Sequence, residues 1–194
     1  VYNVQLQIGE KVKPIPFKEI NGLANYDAIV NLYSKGIFKE SEKFNPYNKT
    51  TRYQFSLMLY RALDLEVPAT TDFKDIAKLD AEAQSAIKAL NKLGVINGVN
   101  KETFAPYNNI TRAQTAKMVY RLLVSNGYQD KANATMPFSD VTATDAELNK
   151  AAAQLNALGI MTGSNGKLNP NAPLTRDQMS KVLNNALQAL EGLK

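Results

Sequence analysis

The sequence contains no cysteine and no histidine, and these two absences exclude much of known enzyme chemistry. They remove thiol nucleophiles, Ser-His and Cys-His relays and histidine general bases. Zinc fingers and disulfide frameworks are excluded for the same reason. An enzyme would have to work with carboxylates or lysines, and no set of nucleophile, base and orienting group stands out. We therefore expect a non-catalytic protein without a metal or another cofactor.

Long apolar runs are also missing. No uninterrupted apolar stretch approaches the roughly 20 residues that a membrane helix needs, so the sequence predicts no membrane insertion. The lack of cysteine suits export, because a protein without thiols cannot form wrong disulfides in oxidising surroundings. The chain opens at Val1 without an initiator methionine or a basic and then apolar leader. We expect a mature product or a part of a larger exported protein.

The composition is that of a globular protein with a mild cationic bias. Of the 194 residues, 44% are hydrophobic, which is enough for a core. The net charge of +5 is compatible with an anionic partner such as nucleic acid, an acidic polymer or a membrane surface. The lysines are spread along the whole chain and form no dense basic run with interleaved aromatics, so we expect no nucleic-acid partner.

The chain carries an internal repeat. The motif T-R-x-Q occurs three times, at 51–54, 111–114 and 175–178, with its arginines 60 and 64 residues apart. Five residues before each threonine stands a proline: Pro46, Pro106 and Pro170. Each unit opens with F-x-[DE]-[IV], at 17–20, 73–76 and 138–141. A Gly-Ile or Gly-Val pair follows within each unit, at 36–37, 94–95 and 159–160.

Two helices are predicted in each unit. After T-R-x-Q, apolar residues recur at i, i+3, i+4, i+7 and i+8, with Thr115 in the first position of the second unit, and this is one face of a helix. Similar spacing precedes each glycine, for example at Ala86, Ile87 and Leu90, and the glycine is expected to end the helix. A two-helix unit buries too little surface to be stable alone, so the units are expected to pack on one another.

The spacing predicts an all-α fold with repeats at residues 16–66, 72–125 and 137–194. Linkers are expected near 64–71 and 124–136, where polar and turn-forming residues interrupt the apolar spacing. Residues 1–15 are predicted to be an N-terminal extended segment or linker. The reason is that Val4, Leu6 and Ile8 alternate with polar residues, as in a short strand.

The threonine and glutamine of each motif have a structural interpretation. A threonine at the N-cap and a glutamine three residues later form a capping box, which satisfies backbone N–H groups that the first helical turn leaves unpaired. Gln54, Gln114 and Gln178 therefore need no function to explain them.

The motif arginines Arg52, Arg112 and Arg176 are harder to explain. The helix dipole disfavours a cation at this position by about 0.3–1 kcal/mol, yet three of only five arginines occupy it. One interpretation is that free N–H groups of the helix start and the planar guanidinium together bind an external carboxylate or phosphate. The alternative is an ion pair with a carboxylate of the neighbouring repeat. Arg61 and Arg121 are interpreted as solvated or as packing between helices.

The combined pattern resembles the S-layer homology (SLH) family. The opening segment, the glycine turn, the proline loop and the T-R-x-Q helix occur in the same order three times. The family motif usually reads T-R-A-E, whereas this chain has glutamine at the fourth position each time. The resemblance implies three tandem helix-loop-helix repeats packed with pseudo-threefold symmetry. It also implies extracellular, non-covalent anchoring of a larger protein at the bacterial cell wall or S-layer. The implied partner is an anionic cell-wall polysaccharide, often with pyruvate ketals on N-acetylmannosamine.

The resemblance also implies ligand contacts in grooves between repeats. The arginines and glutamines of the three motifs would face the sugar and its carboxylate. Glycine turns of adjoining repeats would offer backbone N–H groups to the same carboxylate: Gly94, Asn97, Gly98, Gly159, Thr162, Gly163 and Ser164. Repeat 1 has Glu40 where the second glycine stands, so the groove beside its turn is predicted to be weak or altered. Tyr47 and Tyr107 would stack on a sugar ring or, alternatively, cover their own loops.

The alternative function is a helical-repeat scaffold for protein partners, since two-helix units commonly stack into such arrays. The two functions differ in whether the motif arginines converge on grooves or pair internally. Acidic pairs such as Asp72 with Asp75, and Asp80 with Glu82, are interpreted as helix starts that the dipole stabilises.

Overall fold

The computed structural model describes residues 14–39, 43–65 and 69–194. Over these residues it contains a short 3-10 helix, six α-helices and no strand, so the all-α prediction is confirmed. The helices are Lys18–Ile20 (3-10), α1 Tyr26–Ser34, α2 Arg52–Leu63, α3 Ala81–Lys92, α4 Arg112–Ser125, α5 Ala146–Ala157 and α6 Arg176–Glu191. The predicted extended segment at the N-terminus lies outside the described residues up to position 13.

The helices begin and end where the capping motifs and glycines of the sequence predicted. In α2, α4 and α6 the threonine of T-R-x-Q is the N-cap, and both hydrogen bonds of the capping box are present. After α1, α3 and α5 the predicted glycines, Gly36, Gly94 and Gly159, have φ angles of 74°, 72° and 71°. A left-handed residue there lets the chain turn back, and the amide of Val95 then donates to the carbonyl of Leu90.

Each helix pair packs on the next one through contacts between helices of different pairs. The second helix of each pair packs on the first helix of the following pair, so that α2 contacts α3, α4 contacts α5 and α6 returns to α1. Ion pairs join the first two of these contacts, from Arg61 to Glu82 at 2.7 Å and from Arg121 to Glu147. The role of Arg61 and Arg121 in packing between helices is thereby confirmed. At α6 and α1 the side-chain amide of Asn31 donates a hydrogen bond to Asn184, and an exposed ion pair from Lys35 to Glu191 at 3.3 Å joins the ends of the two helices.

A closed ring of backbone hydrogen bonds forms the centre. The amide of Ile110 donates to the carbonyl of Thr50, Leu174 donates to Ile110, and Thr50 donates to Leu174, at 2.9, 3.4 and 2.9 Å. All three residues are fully buried. Each stands just before a capping threonine, so the ring draws the starts of α2, α4 and α6 together. The contacts are cyclic, while the pseudo-threefold rotation itself stays a prediction.

The acidic residue of each opening segment holds the proline loop of its own repeat. The carboxylate of Asp75 accepts hydrogen bonds from the amides of Phe104 and Ala105, at 2.9 and 2.8 Å. Asp140 binds the loop of the third pair and Glu19 that of the first in the same way. The interpretation of Asp75 as a helix-start residue is therefore wrong, because α3 begins only at Ala81, after the N-cap Asp80.

Candidate functional site

The first backbone N–H groups of α2, α4 and α6 are already bonded. The amide of Arg52 donates to the carbonyl of Asn108 at 2.9 Å, and that of Tyr53 to Pro106 at 3.0 Å. The matching acceptors are Ala172 and Pro170 for α4, and Asn48 and Pro46 for α6. The expectation of free N–H groups at these helix starts is therefore wrong. Any anion bound there has to be held by side chains or by other backbone groups.

The three motif arginines bind the loop of the next predicted repeat. Their Nε atoms donate to the carbonyl oxygens of Phe104, Leu168 and Phe44, at 2.9, 2.6 and 2.8 Å. Two guanidinium groups also lie over rings, Arg52 over Phe104 and Arg176 over Phe44, each 4.6 Å from the ring centroid. Among the described residues none of the three forms an ion pair with a carboxylate, so the internal-salt-bridge alternative is not what holds them.

The arginines differ in how much of the guanidinium remains available. Arg52 is only 3% exposed, and its Nη2 donates to the carbonyl of Asn97 at 2.9 Å. The Nη atoms of Arg112 and Arg176 have no hydrogen-bond partner among the described residues, and both side chains are half-buried. Burial lowers the pKa of each guanidinium below its ordinary value, and nearby Asp75 and Asp140 oppose this for Arg52 and Arg112. All three keep their charge at neutral pH because arginine titrates so far above it.

An open cleft of about 220 Å³ lies between the start of α6 and the loop of the first helix pair. We call it the inner cleft, and its lining is Phe17, Lys39, Lys43, Phe44, Asn45, Asn48, Lys49, Gln54 and Arg176. Four of these side chains are cations and none is a carboxylate. Among the described residues of the wall, an anion entering the cleft would therefore meet Arg176 and Lys49, while Lys39 is already paired with Glu82 at 2.9 Å.

The glutamines of the capping boxes keep one polar group uncommitted. The Oε1 atom of Gln54 accepts a hydrogen bond from the Thr51 amide at 3.0 Å, and Gln114 and Gln178 do the same in α4 and α6. Their Nε2 groups have no partner among the described residues. In the inner cleft the Gln54 amide nitrogen is thus available as a donor, where a glutamate would have presented a carboxylate.

The glycine turns after α3 and α5 offer amides but also have a packing role. The amides of Asn97 and Gly98, and of Thr162 and Gly163, make no hydrogen bond with a described residue, whereas that of Ser164 donates to Lys167. A Cβ atom on Gly98 or Gly163 would lie 2.5 Å from the ring of Phe73 or Phe138. The second glycine is thus required by close packing, whether or not the turn binds an anion. Glu40, its counterpart in repeat 1, lies outside the described residues.

The two loop tyrosines differ in their surroundings. Tyr107 is 58% exposed and packs edge-on against Tyr53, with ring centroids 5.7 Å apart. Tyr47 is 74% exposed and has no aromatic contact among the described residues. Neither ring covers its own loop as a buried side chain would. This difference could have been predicted from the sequence. Tyr53 follows the motif arginine of α2, whereas the residue after the motif arginine of α6 is Asp177, which offers Tyr47 no ring to pack on.

Comparison with protein-family models identifies two segments of the chain. The S-layer homology domain matches residues 72–116 and 137–180, which fall within the second and third predicted repeats. Each matched segment runs from the opening phenylalanine region through the first turns of the T-R-x-Q helix. The first predicted repeat lies outside the matched segments, so its membership stays a prediction. In the described part of the chain, every helix is too short or too polar to be a membrane-spanning segment.

Known relatives include both surface-layer proteins and enzymes. The chain is 30% identical over 181 residues to the surface-layer 125 kDa protein of Lysinibacillus sphaericus, covering 90% of this chain and 15% of that protein. It is 28% identical over 188 residues to an endoglucanase of Bacillus sp. strain KSM-635, covering 91% and 19%. With S-layer protein EA1 of Bacillus anthracis the identity is 28% over 147 residues, covering 75% and 16%. The chain thus spans less than a fifth of each relative.

Proposed function

We propose that this chain is a non-catalytic anchoring module that binds an anionic, pyruvylated cell-wall polysaccharide in grooves between its helix pairs. The domain match and the surface-layer relatives indicate a place at the cell surface or cell wall. A surface-layer protein and an endoglucanase are similar to the same stretch of this chain. What they share is therefore a small accessory part, which supports attachment of a larger exported protein instead of a common catalytic activity.

The inner cleft is the observation that carries this proposal. It brings Arg176 from the last helix pair beside Lys49 and Gln54 from the first, and the charged side chains among its described lining residues are all cationic. A guanidinium whose Nη atoms are not bonded within the described protein is suited to grip a planar carboxylate with two parallel hydrogen bonds. The ketal pyruvate of the implied polysaccharide presents such a carboxylate.

We infer that residues 16–66 form a third repeat of the same kind. The helix pair α1 and α2 has the capping box, the glycine turn and the acid-bound loop found in the two matched segments. Three repeats would give three grooves, with the arginines and glutamines of all three motifs, the turns after α3 and α5, and Tyr47 and Tyr107 as contacts. Because Arg52 is buried, we expect the groove between the first and second pairs to bind most weakly, in place of the groove beside the repeat 1 turn that the sequence alone predicted to be weak. Several weak contacts to one polymer reinforce one another through multivalency.

Sedimentation with purified cell walls tests the proposal. The wild-type chain should sediment with walls of Lysinibacillus sphaericus or Bacillus anthracis, and removal of ketal pyruvate from the walls should abolish this. Arg176→Gln and Lys49→Gln should weaken sedimentation, whereas Lys74→Gln should not, because Lys74 is an exposed lysine that pairs with Glu102 and does not line the cleft. Circular dichroism would establish that each variant is folded.

Two outcomes would contradict the proposal. One is wild-type protein that stays in the supernatant with both kinds of wall. The other is sedimentation that does not change when the pyruvate is removed or when Arg176 is replaced. The helical scaffold for protein partners would then be the remaining function.

A further inference from the structure

A second, larger groove continues outward from the inner cleft. It has a volume of about 450 Å³, and we call it the outer groove. Lys43, Asn45 and Asn48 line both cavities, so the two are neighbouring parts of one surface depression on the first helix pair. The outer groove adds Lys18, Glu19, Pro46 and Tyr47. A ligand that fills the inner cleft alone would leave this continuation empty.

We infer that the outer groove is a second saccharide subsite, in which Tyr47 stacks on the next sugar of a polymer held by Arg176. This inference rests on the proposed function. The Tyr47 ring is 74% exposed, carries no ring contact among the described residues and borders the groove. A tyrosine combines a large apolar ring face with a polar tip, so an exposed ring beside polar donors suits a flat, partly apolar ligand.

The charges of the outer groove favour a chain that carries more than one negative group. Lys18 is exposed and makes no ion pair with a described residue. Glu19, the one carboxylate among the described residues of the wall, accepts hydrogen bonds from the backbone amides of Phe44 and Asn45. A polymer with an acidic group on successive units would therefore meet a cation in each part of the depression, Arg176 in the inner cleft and Lys18 in the outer groove.

The other helix pairs do not repeat this arrangement. Tyr107 has the matching sequence position, but its ring packs on Tyr53. In the third pair the position is Asn171, which has no ring to stack. The second subsite therefore belongs to the first helix pair alone, and the chain would bind a long polysaccharide asymmetrically, with its extended contact at this pair.

Fragments of different length test the inference. The probe is anionic polysaccharide released from purified Lysinibacillus sphaericus walls and separated into single repeating units and longer fragments. Tyr47→Ala should weaken binding of the longer fragments by about tenfold, which corresponds to about 1.4 kcal/mol, and leave single-unit binding unchanged. Lys18→Gln should weaken the longer fragments in the same selective way. Val124→Ala is the control, because it removes another exposed apolar side chain, 45% exposed, that lines neither cavity. It should bind both probes as the wild type does.

The outcomes separate this inference from the proposed function. Wild-type affinity of Tyr47→Ala for the longer fragments, with Arg176→Gln still impaired, would overturn the second subsite and leave the anchoring function standing. Equal losses for single units and longer fragments would place Tyr47 in the first subsite and also overturn it. Failure of the wild type to bind either probe would overturn both. Thermal melting of Tyr47→Ala should match the wild type, since an exposed ring contributes little burial.

Discussion

The Nε atom of Arg176 donates a hydrogen bond to the carbonyl oxygen of Phe44 across 2.8 Å, and this contact joins the last helix pair to the first. The two residues are 132 positions apart in sequence. The guanidinium also lies over the ring of Phe44, so one side chain supports the loop through its backbone and its ring. The same arginine lines the inner cleft. Structural closure and the proposed ligand contact therefore depend on a single residue.

The motif arginines should differ in their contribution to stability. Arg52→Ala removes hydrogen bonds to the carbonyls of Phe104 and Asn97, the first of them buried, and a ring contact. We expect it to lower the free energy of unfolding by about 2–4 kcal/mol. Arg112→Ala removes one such bond and no ring contact, and a loss of about 1 kcal/mol is expected. Urea unfolding of the two variants checks this, and equal losses would contradict it.

The ring of backbone hydrogen bonds at the centre of the fold contains a buried side-chain oxygen without a hydrogen-bond partner among the described residues, that of Thr50. The hydroxyl of Thr50 is buried without a hydrogen-bond partner in the described structure, and the matching positions carry Ile110 and Leu174. A buried hydroxyl that makes no hydrogen bond is costly. We expect Thr50→Val, which keeps the shape, to raise the free energy of unfolding by about 1 kcal/mol. The buried Thr115 hydroxyl, in contrast, donates to the Thr111 carbonyl, so Thr115→Val should be destabilising in the same thermal-melting experiment.

Local rules predicted the helix ends because their causes lie within a few residues. The capping box needs only the threonine and the glutamine three positions later, and the glycine turn needs only a residue that tolerates positive φ. The prediction of α2 from Thr51 and Gln54 succeeded for this reason.

Contacts between repeats could not be predicted from local sequence rules. The groups that satisfy the amides of Arg52 and Tyr53 come from Asn108 and Pro106, more than 50 positions away. The helix start therefore looked free in the sequence although it is occupied in the fold. The prediction that Asp75 stabilises a helix start was wrong for a similar reason. The amides that donate to its carboxylate belong to Phe104 and Ala105, about 30 positions away along the chain.

The contact between α2 and α3 should weaken in acid. The Arg61 guanidinium holds the pKa of Glu82 well below its usual range, at about 2, with a further hydrogen bond from Lys39. A lowered pKa in the folded state means that the contribution to stability is present above about pH 4.5, the ordinary value, and is lost as the pH falls towards 2.

Urea midpoints measured against pH check this. The difference between wild type and Glu82→Gln should be largest above pH 5 and should vanish near pH 2. Glu102→Gln is the control, because its pair with Lys74 is exposed and solvent screens it. A difference between wild type and Glu82→Gln that stays constant down to pH 2 would remove this ion pair as the cause.

Gln54 offers a way to change ligand binding without changing the helix. Gln54→Glu keeps an oxygen for the Thr51 amide, so the capping box survives, and a carboxylate near a helix start is favoured by the dipole. The free energy of unfolding should therefore not fall. Wall binding should weaken several-fold, because the new carboxylate would compete with that of the polysaccharide for Arg176 and the lysines of the inner cleft.

Two measurements decide this prediction, urea unfolding and sedimentation with pyruvylated walls. Gln188→Glu is the control, since it adds the same charge at an exposed position near the end of α6, away from the residues that line the cleft. If Gln54→Glu binds walls as tightly as Gln188→Glu does, the side chain at position 54 does not face the ligand. A loss of stability in Gln54→Glu would instead show that the amide nitrogen supports the fold. The prediction is met only if Gln54→Glu is as stable as the wild type and binds walls more weakly. That result would place the neutral side-chain amide of Gln54 in the binding site.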